Sequence, residues 1–184
     1  ESQPIWPVGA NPVAMDTVAA FTDSYLPTIN GVTYTVRTWR EHWLDRGGRM
    51  DVVYPGSEHV PDPGERPVRS LPFPFYDGYR LGLPRIPRSL PPVDVVHVHT
   101  PFSVGIAGAR LARRADVPLV ASYHTPTGEY TNYLAPTPRL ARGLRRLSEG
   151  WERRFLDRAD LVLAPSETTR RHLLESVGVS PDVA

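Results

Sequence analysis

The stretch Asp94–Gly105, DVVHVHTPFSVG, decides the fold. Its first half is an apolar run without the strict alternation of a half-exposed strand, which is typical of a strand buried on both faces of a parallel sheet. Its second half passes through Thr-Pro to a capping-type serine, Ser103, and small residues continue in a helical pattern to Arg114. The stretch therefore predicts a strand followed directly by a helix, the unit that builds doubly wound α/β sheets.

The same alternation of buried strand and helix extends in both directions. Further strands are predicted at Thr17–Phe21, Met50–Tyr54, Val117–Tyr123 and Asp160–Ala164, with a weaker one at Val68–Leu71. Helices are predicted at Val32–Arg46, Ser103–Arg114, Arg139–Arg158 and Glu167–Val177, the last capped by Ser166. The predicted fold class is α/β, a Rossmann-like doubly wound parallel sheet in three α/β/α layers.

Two segments interrupt this pattern. Residues 55–92 are dense in proline and glycine and are predicted to form an irregular surface excursion around one short strand. Residues 1–14 lack the charged and apolar regions of a signal peptide and are predicted to be a flexible leader or an expression remnant. The folded domain is therefore expected to span residues 15–184.

Composition narrows the classes of function. No apolar run approaches the roughly 20 residues that a spanning helix needs, and the absence of cysteine suits a soluble, cytoplasmic protein. The 21 basic residues, all arginine, against 20 acidic residues give a net charge of +1, so no overall field favours nucleic acid as a partner. The chain also lacks G-x-G-x-x-G, P-loop and G-x-S-x-G motifs, which disfavours NAD-binding domains, P-loop NTPases and α/β-hydrolases.

The turn after the first strand is one candidate site, because ligands in open α/β sheets bind beyond the carboxyl ends of the strands. Here Asn30-Gly31 opens a helix, whose free N–H groups and positive dipole end suit a phosphate. Glycine also permits a positive φ angle and close approach of a ligand. The alternative is an ordinary Asn-Gly turn with a helix cap.

Histidines mark the ends of two other strands. His97 and His99 are two residues apart and are expected on the same face of a strand, but no third ligand with suitable spacing supports a metal site. His99 and Thr100 are instead expected to line the strand-end crevice. His124, at the tip of the strand Val117–Tyr123, is the best catalytic candidate, and the alternative is a partly buried histidine bonded to a neighbouring loop.

Three runs together resemble the N-terminal domain of the retaining glycosyltransferase family 4. They are Phe21–Val32 (FTDSYLPTINGV), Asp94–Gly105 and Ser122–Thr125 (SYHT). The resemblance is strongest to the branch of diacylglycerol glucosyltransferases, sulfoquinovosyltransferases and phosphatidylinositol mannosyltransferases. It implies one half of a GT-B fold, in which two Rossmann-like domains face a cleft and the C-terminal donor-binding domain is absent from this chain.

The same resemblance implies an activity. Such an enzyme transfers a hexose from a nucleotide sugar to a sugar or lipid acceptor, with retention and without a metal or other cofactor. It also implies roles for individual residues: His124 is catalytic, and Asn30 and Gly31 bind the donor. The residues implied to bind the acceptor are Tyr25, His99, Thr100, Pro101, Phe102, Thr125 and Tyr130. The acceptor-side half alone is expected to have little or no transfer activity.

The segment from Arg139 to Arg158 carries seven arginines beside an apolar stripe of Leu140, Leu144, Leu147, Trp151 and Phe155. The stripe is expected to pack on the sheet with the arginines in solvent. The alternative, which the resemblance supports, is contact with an anionic membrane at its inner face.

Two other functional classes stay open. One is a sugar-nucleotide 2-epimerase, which shares the architecture and a strand-end histidine but uses no external acceptor. The other is a non-enzymatic Rossmann-like domain that binds a nucleotide or a partner protein.

Overall fold

The computed structural model describes residues 16–73, 79–124 and 138–180. The strands are β1 (Thr17–Phe21), β2 (Arg49–Pro55), β3 (Glu65–Val68), β4 (Ser70–Pro72), β5 (Arg80–Gly82), β6 (Val95–Val98), β7 (Leu119–Ser122) and β8 (Leu161–Leu163). The helices are α1 (Gly31–Asp45), α2 (Ser103–Ala115), α3 (Pro138–Leu156) and α4 (Glu167–His172), and α4 continues into a π-helical turn at Leu173–Val177.

Six strands form one parallel sheet in the order β3-β2-β1-β6-β7-β8. The chain builds outward from β1 to β3, returns past β1 to β6, and then builds outward on the other side. Phe21 of β1 lies in register between Val53 of β2 and Val98 of β6. This arrangement confirms the predicted doubly wound sheet, and it places the switch in winding direction between β1 and β6, where such sheets bind ligands.

Alternate side chains of the sheet fill two separate cores. Val18, Ala20 and Val52 pack on one face with Val36 of α1. The opposite face packs against α2 and α3 through a core that includes Ala19, Phe21, Val98, Val104, Ala107 and Phe155. Helices therefore cover both faces, as the three-layer prediction requires.

The helix boundaries follow local signals in the sequence. α1 begins after Asn30, whose side chain accepts a hydrogen bond from the Thr33 N–H, and it is followed by Gly47 with a φ angle of +80°. α4 begins after Ser166, which caps the Thr169 N–H as predicted. With the π-helical turn counted as the end of α4, each predicted helix end lies within two residues of the observed one.

The proline-rich segment 55–92 contains more structure than predicted. It holds three short strands rather than one, and the predicted strand Val68–Leu71 straddles the end of β3 and the start of β4. β3 pairs with β2 at the edge of the main sheet, while β4 and β5 form a separate antiparallel pair. An edge strand tolerates Pro67 because only one side of its backbone needs hydrogen bonds, so the sequence pattern was a poor guide here.

α3 is only partly packed. Near its C-terminal end Phe155 and Leu156 are buried, whereas Leu147 is 73% exposed and Leu140 is 48% exposed. The expectation that the whole apolar stripe packs on the sheet is therefore wrong for these two leucines. Among the described residues, no helix combines the length and the apolar character needed to cross a membrane.

Candidate functional site at the carboxyl edge of the sheet

A small cleft of about 50 Å³ opens at the carboxyl edge of the main sheet. Its walls come from the first turn of α1, the ends of β6 and β7, and the C-terminal half of α3. The lining residues that matter below are Val32, His99, Thr100, Phe102, His124 and Glu152. Val32 directly follows Asn30-Gly31, so the structure brings this helix start and His124 to one edge of a parallel sheet, as predicted.

Three histidine rings at this cleft, those of His97, His99 and His124, form the histidine stack. The rings of His97 and His99 are stacked, 4.1 Å apart between centroids, which confirms that both lie on the same face of the strand. The ring of His124 lies edge to edge with that of His99, 5.4 Å away between centroids at an interplanar angle of 17°, and Nε2 of His124 is 3.1 Å from Nδ1 of His99. Trp39 of α1 packs against the stack, 5.1 Å from His97 and 5.7 Å from His99 between ring centroids.

Burial keeps these imidazoles neutral. It lowers the pKa of His97 to about 3, with a further contribution from His124, and it lowers the pKa of His99 well below its ordinary value. Burial also lowers the pKa of His124, the most exposed ring of the three. At neutral pH the stack therefore offers hydrogen-bond donors and acceptors rather than positive charge.

Two specific hydrogen bonds involve the ring nitrogens of the histidine stack. Nε2 of His97 lies 2.9 Å from the hydroxyl of Ser122, and His99 bonds to His124. Within the described part of the chain, no group of three histidine, cysteine or acidic residues is arranged to hold a metal ion. The arrangement is that of a hydrogen-bonded stack.

The start of α2 is occupied by a carboxylate of the chain itself. Asp23, 2% exposed, accepts hydrogen bonds from the hydroxyls of Thr100 and Ser103 at 2.7 and 2.9 Å, and from the N–H groups of Val104 and Gly105 at 2.9 and 3.3 Å. Burial raises the pKa of Asp23, and these four donors oppose that shift. Because all four groups donate, the carboxylate form is the one that satisfies them.

This network corrects one sequence-based expectation. The helix-capping position is Phe102 rather than Ser103, and the first N–H groups of α2 donate to Asp23. Thr100, predicted to bind the acceptor, uses its hydroxyl on Asp23. The available signal was position: Asp23 and Thr100 each lie close after one of two adjacent parallel strands, so their side chains come together at one edge.

The Asn30-Gly31 turn differs from the start of α2, because it leaves space for a ligand. Asn30 caps α1 through Oδ1, 3.0 Å from the Thr33 N–H, and its Nδ2 donates to the Ser24 hydroxyl at 2.7 Å. Gly31 is not among the glycines with positive φ, so the expectation of a positive φ here was wrong, whereas the expectation of close approach by a ligand is untested. A Cβ atom added at Gly31 would meet nothing within 4 Å, so space for a ligand remains beside this turn.

Tyr25 lies apart from the cleft. Its hydroxyl donates to Glu65 Oε1 at 2.8 Å, and its ring packs against Tyr54 at 4.7 Å between centroids. Tyr25 instead lines a second hollow of about 360 Å³, bordered by the loop after β1, the end of β2 and Arg80. The structure therefore separates Tyr25 from the predicted acceptor-binding residues His99, Thr100, Pro101 and Phe102, which line the cleft.

A comparison with known families agrees with this architecture. Residues 29–184 match the family described as Glycosyltransferase Family 4. The chain belongs to glycosyltransferase family 4. The resemblance seen in the three sequence runs is thereby confirmed at the level of the family.

Individual family 4 relatives cover most of this chain. It is 26% identical over 163 residues to alpha-monoglucosyldiacylglycerol synthase of Streptococcus pneumoniae, covering 83% of this chain and 36% of the relative. It is 33% identical over 171 residues to a GDP-mannose-dependent alpha-mannosyltransferase of Mycobacterium tuberculosis, covering 85% of this chain and 43% of the relative. The corresponding enzyme of Mycolicibacterium smegmatis is 31% identical over 169 residues, covering 85% and 44%. The chain thus spans less than half the length of these family 4 relatives.

One residue of the family 4 cleft escaped the sequence analysis. Glu152 of α3 is only 2% exposed and lines the cleft with His99 and His124. The signal was its spacing, because Glu152, Phe155 and Leu156 lie at i, i+3 and i+4 and share the buried face of the helix. Two predicted acceptor-binding residues, Thr125 and Tyr130, lie outside the described residues.

Proposed function

We propose that the protein is a family 4 glycosyltransferase that moves a hexose from a nucleotide sugar to an acceptor, and that this chain is its acceptor-side domain. Membership of family 4 supports glycosyl transfer, and the cleft supports placing the reaction at the carboxyl edge of the sheet. The observation that carries the location is the convergence of the α1 start and His124 on the carboxyl edge of the sheet. GDP-mannose is the first donor to test, because two of the relatives are named for it.

His124 supplies a hydrogen bond rather than a charge in this proposal. Its pKa is lowered by burial, and one of its ring nitrogens is engaged with His99. A neutral ring held in this way suits recognition of a sugar or acceptor oxygen at the reacting centre. It does not suit a role as a cation that binds phosphate.

We propose transfer with retention. The acceptor oxygen forms its bond to the anomeric carbon on the face from which the diphosphate oxygen departs, and the acceptor proton passes to that oxygen. Negative charge grows on the departing diphosphate, so donors aimed at it accelerate the reaction. The start of α1 offers N–H groups beside the open space at Gly31.

The test uses the full-length protein with GDP-mannose and, separately, UDP-glucose. Release of nucleotide in the presence of candidate acceptors is measured, and NMR of the product reports its anomeric configuration. His124→Ala is expected to lower kcat by roughly 100-fold, in the range for one lost transition-state donor, while the exposed His42→Gln serves as a matched control. Equal activity of both variants would contradict the role of His124.

The same assay separates the alternatives. Formation of a free epimerised sugar without acceptor would identify a 2-epimerase. Binding of the nucleotide sugar without turnover by the full-length protein would favour a non-enzymatic domain. The isolated chain is expected to show no transfer, because the resemblance assigns most of the donor contacts to a second domain.

We further propose that α3 contacts an anionic membrane surface. The exposed Leu140 and Leu147 lie on the same helix as the half-exposed Trp151 and the exposed Arg142 and Arg146. Exposed apolar side chains flanked by arginines fit the interface of an anionic bilayer. This surface suits a lipid acceptor, which the name of the Streptococcus relative also suggests.

Co-sedimentation with vesicles tests the membrane contact. Binding to vesicles with 30% phosphatidylglycerol, a composition of our choosing and roughly that of an anionic leaflet, is expected to fall several-fold for Leu147→Ser. Val60→Ser is the control, since Val60 is 80% exposed but lies outside α3. Equal losses in both variants would contradict a specific role for α3.

A further inference from the structure

The hydrogen bond between His99 and His124 has a direction that the surroundings determine. His99 is neutral and carries one N–H, either on Nδ1 or on Nε2. Its Nε2 atom is buried and has no hydrogen-bond partner among residues 16–73, 79–124 and 138–180. A proton there would create an unsatisfied buried donor, which proteins tolerate less well than an unpaired acceptor. The proton of His99 therefore belongs on Nδ1, which faces His124.

We propose that His99 is a positioning residue that donates from Nδ1 to Nε2 of His124 and so fixes His124 in the tautomer with its proton on Nδ1. This inference rests on the proposed function only where it concerns turnover. The nitrogen of His124 that remains available is then a donor, matched to an oxygen atom of the bound substrate. The two rings are nearly coplanar, which suits a direct N–H···N bond, and Trp39 covers His99.

Acid would oppose this arrangement. A protonated His124 carries an N–H on Nε2, which would face the N–H of His99 across 3.1 Å. The titratable groups near His124 within the described residues are His97 and His99 from β6 and Glu152 from α3. Removing the donor at position 99 is therefore expected to let His124 bind a proton more readily.

Selective ¹⁵N-histidine labelling of the full-length protein reports the tautomer of His124 directly. The expected spectrum shows a protonated Nδ1 and an unprotonated Nε2 for His124, assigned by loss of its signals in His124→Ala. A protonated Nε2 on His124 would overturn the inference whatever the enzyme's activity.

Two substitutions then test the positioning role. His99→Asn places an amide N–H near the position of Nδ1 and is expected to keep kcat within about threefold, whereas His99→Leu is expected to lower kcat about tenfold or more. In His99→Leu the acidic limb of the pH profile is also expected to move to higher pH. Equal loss in both variants with an unmoved profile would show a merely structural role. If the tautomer is as stated but His124→Ala remains fully active, the proposed function fails and the positioning of His124 stands.

A separate groove carries an independent inference. It has a volume of about 620 Å³, shares no residue with the cleft, and lies between the end of β3, residues 84–88 and α2. Five arginines line it: Arg69, Arg85, Arg88, Arg110 and Arg114. Among the described residues, no acidic side chain lines it, although the whole chain has 20.

These guanidinium groups have no counter-charge among the residues that the structure describes. Elsewhere Arg49 and Arg66 pair with the buried carboxylate of Asp51 at 2.8 and 2.9 Å. Within the described part of the chain, none of the five groove side chains forms an ion pair or a hydrogen bond. Converging like charges repel one another, and a bound anion would relieve that repulsion.

The backbone around the groove is conformationally restricted. Pro67, Pro84 and Pro87 restrict its backbone, and Ile86 packs against the core beneath α2. The N–H of Leu90 also donates to the carbonyl of Pro87 at 3.1 Å. The arginines are therefore presented from a fixed backbone, which lowers the entropic cost of binding.

We infer that this groove binds a ligand with at least two phosphate groups. The planar fork of arginine matches phosphate oxygens in a bidentate way, and five such groups exceed the need of a single phosphate. The phosphates belong either to a free metabolite or to a lipid headgroup, and both present the same chemistry to the groove.

Calorimetric titration of the full-length protein with inorganic pyrophosphate tests this site. The variant Arg85→Gln/Arg88→Gln/Arg110→Gln is expected to bind at least 100-fold more weakly at this site, since each lost charge-assisted contact costs roughly tenfold. Arg113→Gln, also exposed on α2 but outside the groove, is the control. Equal binding by the triple variant and the control would overturn the inference.

A vesicle arm separates the two sources of phosphate. If the triple variant loses binding to cardiolipin vesicles, whose headgroup carries two phosphates, and pyrophosphate competes for that binding, the ligand is lipid-borne. If vesicle binding is unchanged while pyrophosphate binding is lost, the ligand is free in solution.

Discussion

The two turns that flank the switch point, β1 to α1 and β6 to α2, lie side by side yet differ in what they offer a ligand. At the β6–α2 turn the helix start is filled by the carboxylate of Asp23, and a Cβ atom at Gly105 would overlap the carbonyl of Thr100. At the β1–α1 turn the cap is the neutral amide of Asn30, and Gly31 faces open space. One helix dipole is thus satisfied internally, while the other remains available to an external anion.

This difference between the two turns predicts a structural role for the polar residues of one and a binding role for those of the other. Changes at the closed β6–α2 turn should act mainly on stability, and changes at the open β1–α1 turn mainly on substrate binding. Four experiments follow, from the largest expected effect on stability to the smallest.

Removing the carboxylate from the closed turn should have the largest effect. Asp23→Ala leaves buried donors of Thr100, Val104 and Gly105 without an acceptor and is expected to lower the free energy of unfolding by about 3–5 kcal/mol. Urea unfolding measures this change. The control is Asp116→Asn, at an exposed residue with a φ angle of 55° that asparagine also adopts. A loss below about 1 kcal/mol would show that the closed turn does not depend on Asp23.

A matched pair of glycine substitutions compares the turns directly. Gly105→Ala forces backbone atoms apart and is expected to lower the free energy of unfolding by about 2–3 kcal/mol. Gly31→Ala should leave it within about 1 kcal/mol, since the added methyl group meets no atom. The added methyl group of Gly31→Ala is expected to raise KM for the nucleotide sugar several-fold. Similar stability losses in both variants would remove the contrast between the turns.

Acid should weaken the fold through His97, which packs against Trp39 of α1 beneath the cleft. Its pKa is about 3 in the folded chain against an ordinary 6.5, so unfolding takes up a proton between these values. This contribution is complete above pH 6.5, and it falls by about 1.4 kcal/mol per unit below that, or about 2 kcal/mol by pH 5. Urea unfolding of the native protein and His97→Gln at pH 7 and pH 5 measures it. The variant, which can still bond to Ser122, is expected to show a smaller loss on acidification; equal losses would contradict a buried neutral His97.

The smallest effect should come from the cap of the open turn. Asn30→Ala removes the acceptor of the Thr33 N–H and is expected to lower the free energy of unfolding by about 1 kcal/mol. Asn30→Asp should keep the cap but weaken binding of the nucleotide sugar, because a negative charge would repel the diphosphate. Unchanged KM for Asn30→Asp would place the donor elsewhere.

Features that depend on residues close in sequence could be predicted, whereas features that depend on distant residues could not. The helix starts at Asn30 and Ser166 were predictable because a cap bonds to an N–H only three residues away. The short strands near Pro67 were less predictable, because their pairing depends on distant strands rather than on an apolar run. The exposure of Leu147 could not be foreseen, since a helical stripe looks the same whether or not the sheet reaches it.

By itself, the sequence determined the order of strands and helices, the parallel sheet, the family, and the edge at which Asn30, His99 and His124 would meet. Periodicity, capping and strand-end position are local properties, and a parallel sheet converts them into a common edge. Only the tertiary structure decided which polar groups become partners. Asp23 finds its donors 77 to 82 residues along the chain, and His99 finds His124 across 25. Such pairings depend on how the strands pack in three dimensions. The sequence alone therefore could not show which of the two turns is closed.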